Sequence, residues 1–541
     1  PRQSGGASLA DTLPAEQLSH ARGGAGTLRW SPDGARLAFT SDRGDHGFIG
    51  IYDVAAKTLR FADPSVDTDV EPAWSPDGRS VAFIRIPASI GVLPFTPQRS
   101  AQPWSIRSAD AATGVGRQVW MADSGTGSAF RGVVADGQLV WAAGNRLVFP
   151  WEKDGWTHLY AVAAGGGAAT LLTPGAFEVE YVAPGADGAG VIYNSNQGDV
   201  DRRHLWRVSA AGGAPVALTS GTGIEWAPTP TADGKAIALL RSDAQGPPRP
   251  AVLVGPAAPR DIAPGAIPAD FPAAALVTPE AVLLSSADGM VVHGQLFRPA
   301  GIKPGERRPA VVFFHGGSQR QMLLGWHYMY YYRNAYALNQ YLASRGYIVL
   351  SVNYRSGIGY GMNFREAEHY GANGASEYND VVGAGLYLRG RADVDPARIG
   401  LWGGSYGGYL TALGLARGSD LFAAGVDLHG VHDWNIEITN WVSDYEPEKQ
   451  AAAAKLAYES SPVASLDTWR SPVLLIQGDD DRNVQFSQTV NLAAMLRERH
   501  VDVEQLVFPD EVHDFLRHQD WLAAYRAAAD FFARKLGGAA R

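Results

Sequence analysis

The rhythm of apolar and polar positions changes part-way along the chain. Through roughly the first half, short apolar runs with alternating polar residues are separated by Asp-Gly turns, the pattern of half-buried strands. Trp30-Ser31-Pro32-Asp33-Gly34 precedes Leu37-Ala38-Phe39, and Trp74-Ser75-Pro76-Asp77-Gly78 precedes Val81-Ala82-Phe83. Weaker copies centre on Asp136-Gly137, Asp187-Gly188 and Asp233-Gly234, and a second strand-like run follows each turn, at 51–54, 104–106, 158–162, 204–208 and 251–254. A strand-rich repeat of about 40–50 residues with a tryptophan in most units predicts β-propeller blades. Five repeats are visible, and degenerate blades would add to them.

The pattern shifts near residue 276. Residues 282–292 still read as strand, turn and strand, but from Arg308 onward apolar runs alternate with helical spacing. The runs 308–314, 347–352, 398–402, 424–428, 472–477 and 505–508 predict the core strands of a doubly wound, mostly parallel sheet. Leu522, Tyr525 and Phe532 place a last covering helix over 521–536. The expected organisation is an N-terminal segment, 1–24, an all-β propeller domain, 25–275, and a catalytic α/β domain, 276–541.

One turn in the second half carries chemistry. Gly403-Gly404-Ser405-Tyr406-Gly407 lies between an apolar strand and the helical run 409–416. Strand, Gly-x-Ser-x-Gly and helix form the nucleophile elbow of an α/β-hydrolase, in which glycines permit a tight turn that lifts the serine above the sheet. Such an enzyme needs an acid and then a histidine, each in a loop after a strand. Asp479-Asp480-Asp481 follows 472–477, and His513 follows 505–508. Ser405 is the expected nucleophile and His513 its general base, with one of the three aspartates orienting the imidazole. The remaining aspartates read as solvated loop carboxylates or helix caps. His369, His429, His432 and His518 read as packing or surface residues. The strand 308–314 ends in His315-Gly316-Gly317, so the backbone amides of Gly317 and Tyr406 are the expected oxyanion donors.

Composition narrows the classes. The 541 residues are 46% hydrophobic and 19% charged, as in a packed globular protein of two domains. A net charge of −9 argues against a nucleic-acid partner, which needs a basic face. The lack of cysteine excludes disulfides, thiol catalysis and cysteine-ligated zinc. No metal or cofactor is expected, since no ligand set stands at metal spacing beside the aspartates. No apolar run approaches the ~20 residues that span a bilayer. The chain opens on Pro1 rather than Met, the mark of a processed or trimmed product. A removed secretion signal fits that start, and a periplasmic or secreted location is slightly favoured over a cytoplasmic one. Homo-oligomerisation is left open.

With repeats, elbow, acid and base located, the chain resembles serine peptidases of the prolyl oligopeptidase family, in the style of bacterial dipeptidyl and acylaminoacyl peptidases. The resemblance rests on Asn353 to Gly361, Gly403 to Tyr409, Gly478 to Val484 and Asp510 to His513. It implies a propeller that caps the hydrolase face and a short peptide substrate. It also selects Asp481 as the acid. It implies an aromatic specificity slot formed by Val431, Trp434, Trp441 and Tyr406, and a carbonyl-binding role for Asn483.

Three departures accompany it. Phe314-His315 stands where relatives of dipeptidyl peptidase IV supply an oxyanion tyrosine, and Glu437 stands where the slot has an aromatic. No Glu-Glu pair that would grip a free amine is evident; Glu178, Glu180 and Glu225 are either that grip or solvated carboxylates. The aromatic-rich segment 319–336 reads equally as a substrate wall or as interdomain packing. The expected activity is exopeptidase cleavage through an acyl-enzyme, with release of dipeptides from a free N-terminus. The same triad would serve an esterase or isopeptidase, and a propeller binding protein with a dead hydrolase domain is the reading from another class.

Overall fold

The computed structural model describes residues 17–18, 20, 22–89, 93–134 and 137–537. Between Gly24 and Asp261, twenty strands form five four-stranded antiparallel units in chain order. A single parallel pairing, Gly47 with Thr68, joins the first two units into one continuous sheet.

The Asp-Gly repeats are the turns inside these units. Asp33, Asp77, Asp187 and Asp233 each accept the backbone N–H two residues on, at 2.9–3.1 Å. The following glycines sit between φ +65° and +69°, a region open to glycine at little steric cost. Asp136 of the third repeat lies outside the described residues. The tryptophans of the two strongest repeats have different fates. Trp74 is buried and its Nε1 donates to the Arg29 carbonyl at 2.9 Å, tying the second blade to the first, whereas Trp30 is 60% exposed.

The second half is built on one eight-stranded sheet. Its strands in chain order are β1 (Glu280–Ser285), β2 (Val291–Phe297), β3 (Arg308–Phe314), β4 (Ile348–Asn353), β5 (Val394–Gly404), β6 (Ala424–Leu428), β7 (Val473–Gly478) and β8 (Val503–Phe508). They are ordered β1-β2-β4-β3-β5-β6-β7-β8; the pairs β1/β2 and β2/β4 are antiparallel and the others parallel. Helices cover both faces, which is why the central strands are continuously apolar. Within β3, Ala310, Val312 and Phe314 join the core that includes the helix Tyr406–Gly418. Val311 and Phe313 face the opposite core, under the helices Tyr330–Ser344 and His518–Lys535.

The propeller is tied to this domain by buried polar contacts. Glu178 accepts the backbone amides of Gly359 and Gly361 at 2.9 and 3.0 Å. Glu180 pairs with Arg203 at 2.6 Å, and the same guanidinium reaches Gln321. Glu225 is held within the propeller by His204 and Thr219. These three carboxylates are therefore buried and engaged, and form neither an amine grip nor a solvated surface. Glu152 receives both terminal nitrogens of Arg365 at 2.6 Å, also out of solvent. The segment 319–336 is largely interdomain packing. Ser242 donates to the Trp326 carbonyl at 2.6 Å, the Trp326 amide donates to Asp243, and Tyr336 donates to Ala244.

Candidate active site

Strand β5 ends at Gly404 and a helix begins at Tyr406, leaving Ser405 alone at the junction with φ +59° and ψ −121°. This sparsely populated conformation persists because the surroundings fix it. A Cβ on Gly407 would lie 2.0 Å from the Phe314 carbonyl oxygen, and one on Gly403 would lie 2.5 Å from Gly407 backbone. The elbow glycines are thus demanded by close backbone approach, as the turn requires.

His513 and Asp481 arrive from the loops after β8 and β7. The His513 Nδ1 lies 2.7 Å from Asp481 Oδ2. The carboxylate is fixed further by the amides of Asn483 and Val484 on Oδ1, at 2.9 and 3.0 Å, and by Gln477 on Oδ2 at 3.2 Å. Burial opposes its charge, but the hydrogen bond and charge of His513 hold its pKa below the ordinary value. The neighbouring carboxylates do other work. Asp479 is exposed and caps the Asp510 amide at 2.7 Å, and Asp480 faces Arg482 in solvent.

His429 is the histidine whose neighbourhood the sequence hides. Its ring centroid lies 4.2 Å from that of His513, and Tyr331 Oη is 2.8 Å from its Nε2. Burial and then the adjacent His513 push its pKa well below the ordinary histidine value, so it packs against His513 as a neutral ring, tilted by 38°. His432 is bound to Asp427 at 2.8 Å in the interior, and His369 and His518 are exposed. His429, Asp481 and His513 bring potential ligand atoms within 4.8 Å of one another. In the described structure, however, His513 Nδ1 and Asp481 Oδ2 are already committed to each other.

Ser405, Gly317 and Tyr406 line a cavity of about 620 Å³, together with Val431, Trp434, Trp441 and Asn483. Gly317 has φ +44°, and a Cβ on Gly316 would come within 3.1 Å of the Ser405 Cβ. The loop carrying these glycines is braced by Tyr332, which donates to the Gly316 carbonyl, and by Tyr354, which donates to the His315 carbonyl. His315 is buried, which lowers its pKa to about 3 and keeps it neutral. As the first residue of its helix, Tyr406 has a backbone N–H with no intrahelical partner. Its side-chain hydroxyl donates to the buried Glu377, whose carboxyl is also held by the Gly371 amide at 3.1 Å. Burial raises the Glu377 pKa to about 7.

The slot has walls that sequence reasoning missed. Phe95, from a propeller segment, stands among Trp434, Tyr370, Tyr406 and Trp441, with ring centroids 4.5–6.1 Å away. A signal for it was available, because the strands Ser80–Ile86 and Ser105–Asp110 are separated by a connection longer than any other inside a blade. Glu437 does not line the cavity. It lies buried on the helix Trp434–Trp441, receives Gln488 Nε2 at 3.3 Å, and has its pKa raised to about 8 by burial.

Residues 334–539 match the prolyl oligopeptidase family, and residues 95–248 match the dipeptidyl peptidase IV N-terminal region. Residues 334–539 are thus a prolyl oligopeptidase-family domain. Among curated members, dipeptidyl aminopeptidase BIII of Pseudoxanthomonas mexicana is 31% identical over 243 residues, 43% of this chain and 34% of that protein. The uncharacterized peptidase YuxL of Bacillus subtilis is 27% identical over 248 residues, 44% of this chain and 36% of that protein. The alignments therefore span about a third of these relatives' length.

Among solved structures of the family's fold, a Mycobacterium tuberculosis puromycin-hydrolyzing peptidase superposes with a TM-score of 0.77 at 21% identity, covering 95% of this chain and 79% of that one. The Pyrococcus horikoshii acylaminoacyl peptidase gives 0.61 at 18% identity, covering 96% and 89%. At these identities the likeness is one of fold, a propeller-like all-β half joined to an α/β-hydrolase half.

Proposed function

We propose that this protein is a serine peptidase that hydrolyses short peptides through an acyl-enzyme at Ser405, acting as an exopeptidase of the dipeptidyl or acylaminoacyl type. The observation that carries the reading is the His513–Asp481 hydrogen bond in the loops after β8 and β7, together with a serine held at φ +59° between strand β5 and its helix. A serine hydroxyl attacks a carbonyl only when a base removes its proton, and His513 is the base this geometry offers. Asp481 orients the imidazole and stabilises its cation as the proton moves. The tetrahedral oxygen gathers negative charge at the amides of Gly317 and Tyr406. Collapse breaks the scissile C–N bond as His513 returns the proton to the leaving amine, and water then repeats the sequence on the ester. Val431, Trp434 and Trp441 suit a compact apolar side chain, and Asn483 stands at the cavity edge as a donor to a substrate carbonyl.

The propeller contacts across this face support short substrates, because a folded protein cannot place a backbone segment between the two halves. Ser405→Ala should lose turnover while retaining its fold, and an organophosphonate should label Ser405 alone. Peptidase activity unchanged in Ser405→Ala would sink the proposal. Proline-containing peptide amides, N-acetylated peptides and short-chain esters separate peptidase from esterase; higher kcat/KM for esters than for every peptide would move the assignment. Mass spectrometry of products from an unblocked decapeptide and its N-acetylated twin separates the two exopeptidase types. Equal internal cleavage of both would exclude each of them.

A further inference from the structure

A second cavity of about 310 Å³ adjoins the slot, the two sharing Pro94, Phe95, Gln319 and Tyr370 as lining. The combined cleft has an unusual charge arrangement for a chain of net charge −9. Four guanidinium groups line it, from Arg131, Arg320, Arg365 and Arg482, against two carboxylates, Glu152 and Glu366. Both carboxylates are bonded to Arg365, and Arg482 faces Asp480 outside. Arg131 and Arg320 have no ion pair among the described residues.

Their polar contacts leave capacity toward the cleft. Arg131 donates to the Gln319 side chain at 2.7 Å, and Arg320 donates to the Gln319 carbonyl at 2.8 Å. The Arg320 Nε is buried with no partner, and its guanidinium lies 3.9 Å from the position a Cβ on Gly317 would take. Burial and then the charge of Arg365 disfavour the Arg131 cation, the condition a bound anion relieves. His513, which serves the leaving group, lines neither cavity. The cleft therefore holds the acyl side of the substrate, the part upstream of the cleaved bond.

Resting on the serine-peptidase reading above, we propose that Arg131 and Arg320 form an acyl-side subsite for a carboxylate. The anion is either an acidic side chain next to the specificity residue or a dicarboxylic cap on the N-terminus. Guanidinium and carboxylate form charge-assisted, two-pronged hydrogen bonds, and in a partly desolvated cleft these discriminate strongly against a neutral or cationic group.

The test separates binding from turnover. Calorimetry on Ser405→Ala compares Ala-Pro, Glu-Pro, Lys-Pro, acetyl-Ala-Pro and succinyl-Ala-Pro p-nitroanilides, a series in which glutamyl and succinyl distinguish the two anion sources. At least one acidic ligand should bind roughly tenfold more tightly than its neutral counterpart, in line with a hydrogen bond to a charged group. That preference should collapse in Ser405→Ala/Arg131→Gln and reverse toward Lys-Pro in Ser405→Ala/Arg131→Glu. Equal affinity for acidic and neutral ligands, or a preference that survives both Arg131→Gln and Arg320→Gln, would overturn the subsite. Phosphonate labelling of Ser405 in the intact protein reports on the peptidase reading independently, so either idea can fail alone.

Discussion

Phe95 of the propeller and Trp434 of the hydrolase half meet with ring centroids 4.5 Å apart. The proposed specificity slot is therefore completed across the domain boundary. Phe95 lines the proposed substrate pocket and belongs to neither the His513–Asp481 pair nor the proposed oxyanion donors, so its loss should act on binding. In Phe95→Ala, KM for substrates with a compact apolar residue at the cleaved bond should rise about tenfold with a smaller change in kcat, the scale of one well-packed aromatic contact. Steady-state kinetics on a proline series checks this; a fall in kcat alone would place Phe95 in the chemistry instead.

The Tyr406–Glu377 contact predicts a pH dependence of stability. Burial raises Glu377 from 4.5 to about 7, so the native state favours its protonated form. Its stabilising contribution is complete below the unfolded-state pKa and is lost as pH rises through about 7. Melting temperatures of wild type and Glu377→Gln between pH 4 and 9, about the span of that titration, should diverge with the amide variant losing less on the alkaline side. Glu437, raised to about 8, should give the same sign at higher pH in Glu437→Gln. Parallel curves would show that neither carboxyl titrates on folding.

The Glu152–Arg365 pair spans the two halves without solvent. Removing one partner leaves a charge stranded, so Arg365→Met should cost about 3–5 kcal/mol in chemical denaturation. Arg365→Met combined with Glu152→Leu should recover much of that loss, because the desolvation penalty disappears with both charges. A double variant no better than the sum of the single ones would show that the pair is not coupled.

Gly407→Ala tests the elbow itself. Its Cβ would lie 2.0 Å from the Phe314 oxygen, a backbone atom of a central strand that cannot swing aside. Phosphonate labelling of Ser405 should fall by at least about a hundredfold, in line with a misplaced nucleophile. Near-normal labelling would mean that the turn tolerates a side chain.

What could be read from the chain depended on how local the signal was. Ser405, His513 and the run Asp479–Asp481 each follow an apolar strand, and a strand end places a loop residue above a parallel sheet, so order and spacing bring them forward, while the resemblance singles out Asp481 within its run. The Asp-Gly turns announced the blades for the same reason, since an aspartate and a glycine at fixed offset act within a few residues. Phe95 is marked only by the long connection that carries it, because its partners lie more than two hundred positions away and only folding makes it a pocket wall. Glu178 and Glu180 look like ordinary strand carboxylates until Gly359, Gly361 and Arg203 close over them. His429 reads from the sequence only as a packing or surface residue, because nothing in its sequence neighbourhood places His513 against its ring.

The two amides that Glu178 accepts belong to the loop after β4, whose Tyr354 also braces the glycine loop beside Ser405. A hydrolase half separated from its propeller would leave those amides without their acceptor and Arg365 with Glu366 alone, its two bonds to Glu152 lost. Recombination that exchanged this propeller for one from a distant relative would have to bring matching acidic positions along with it. The two halves are thus bound to be inherited together, and the hydrolase half is no freely portable cassette.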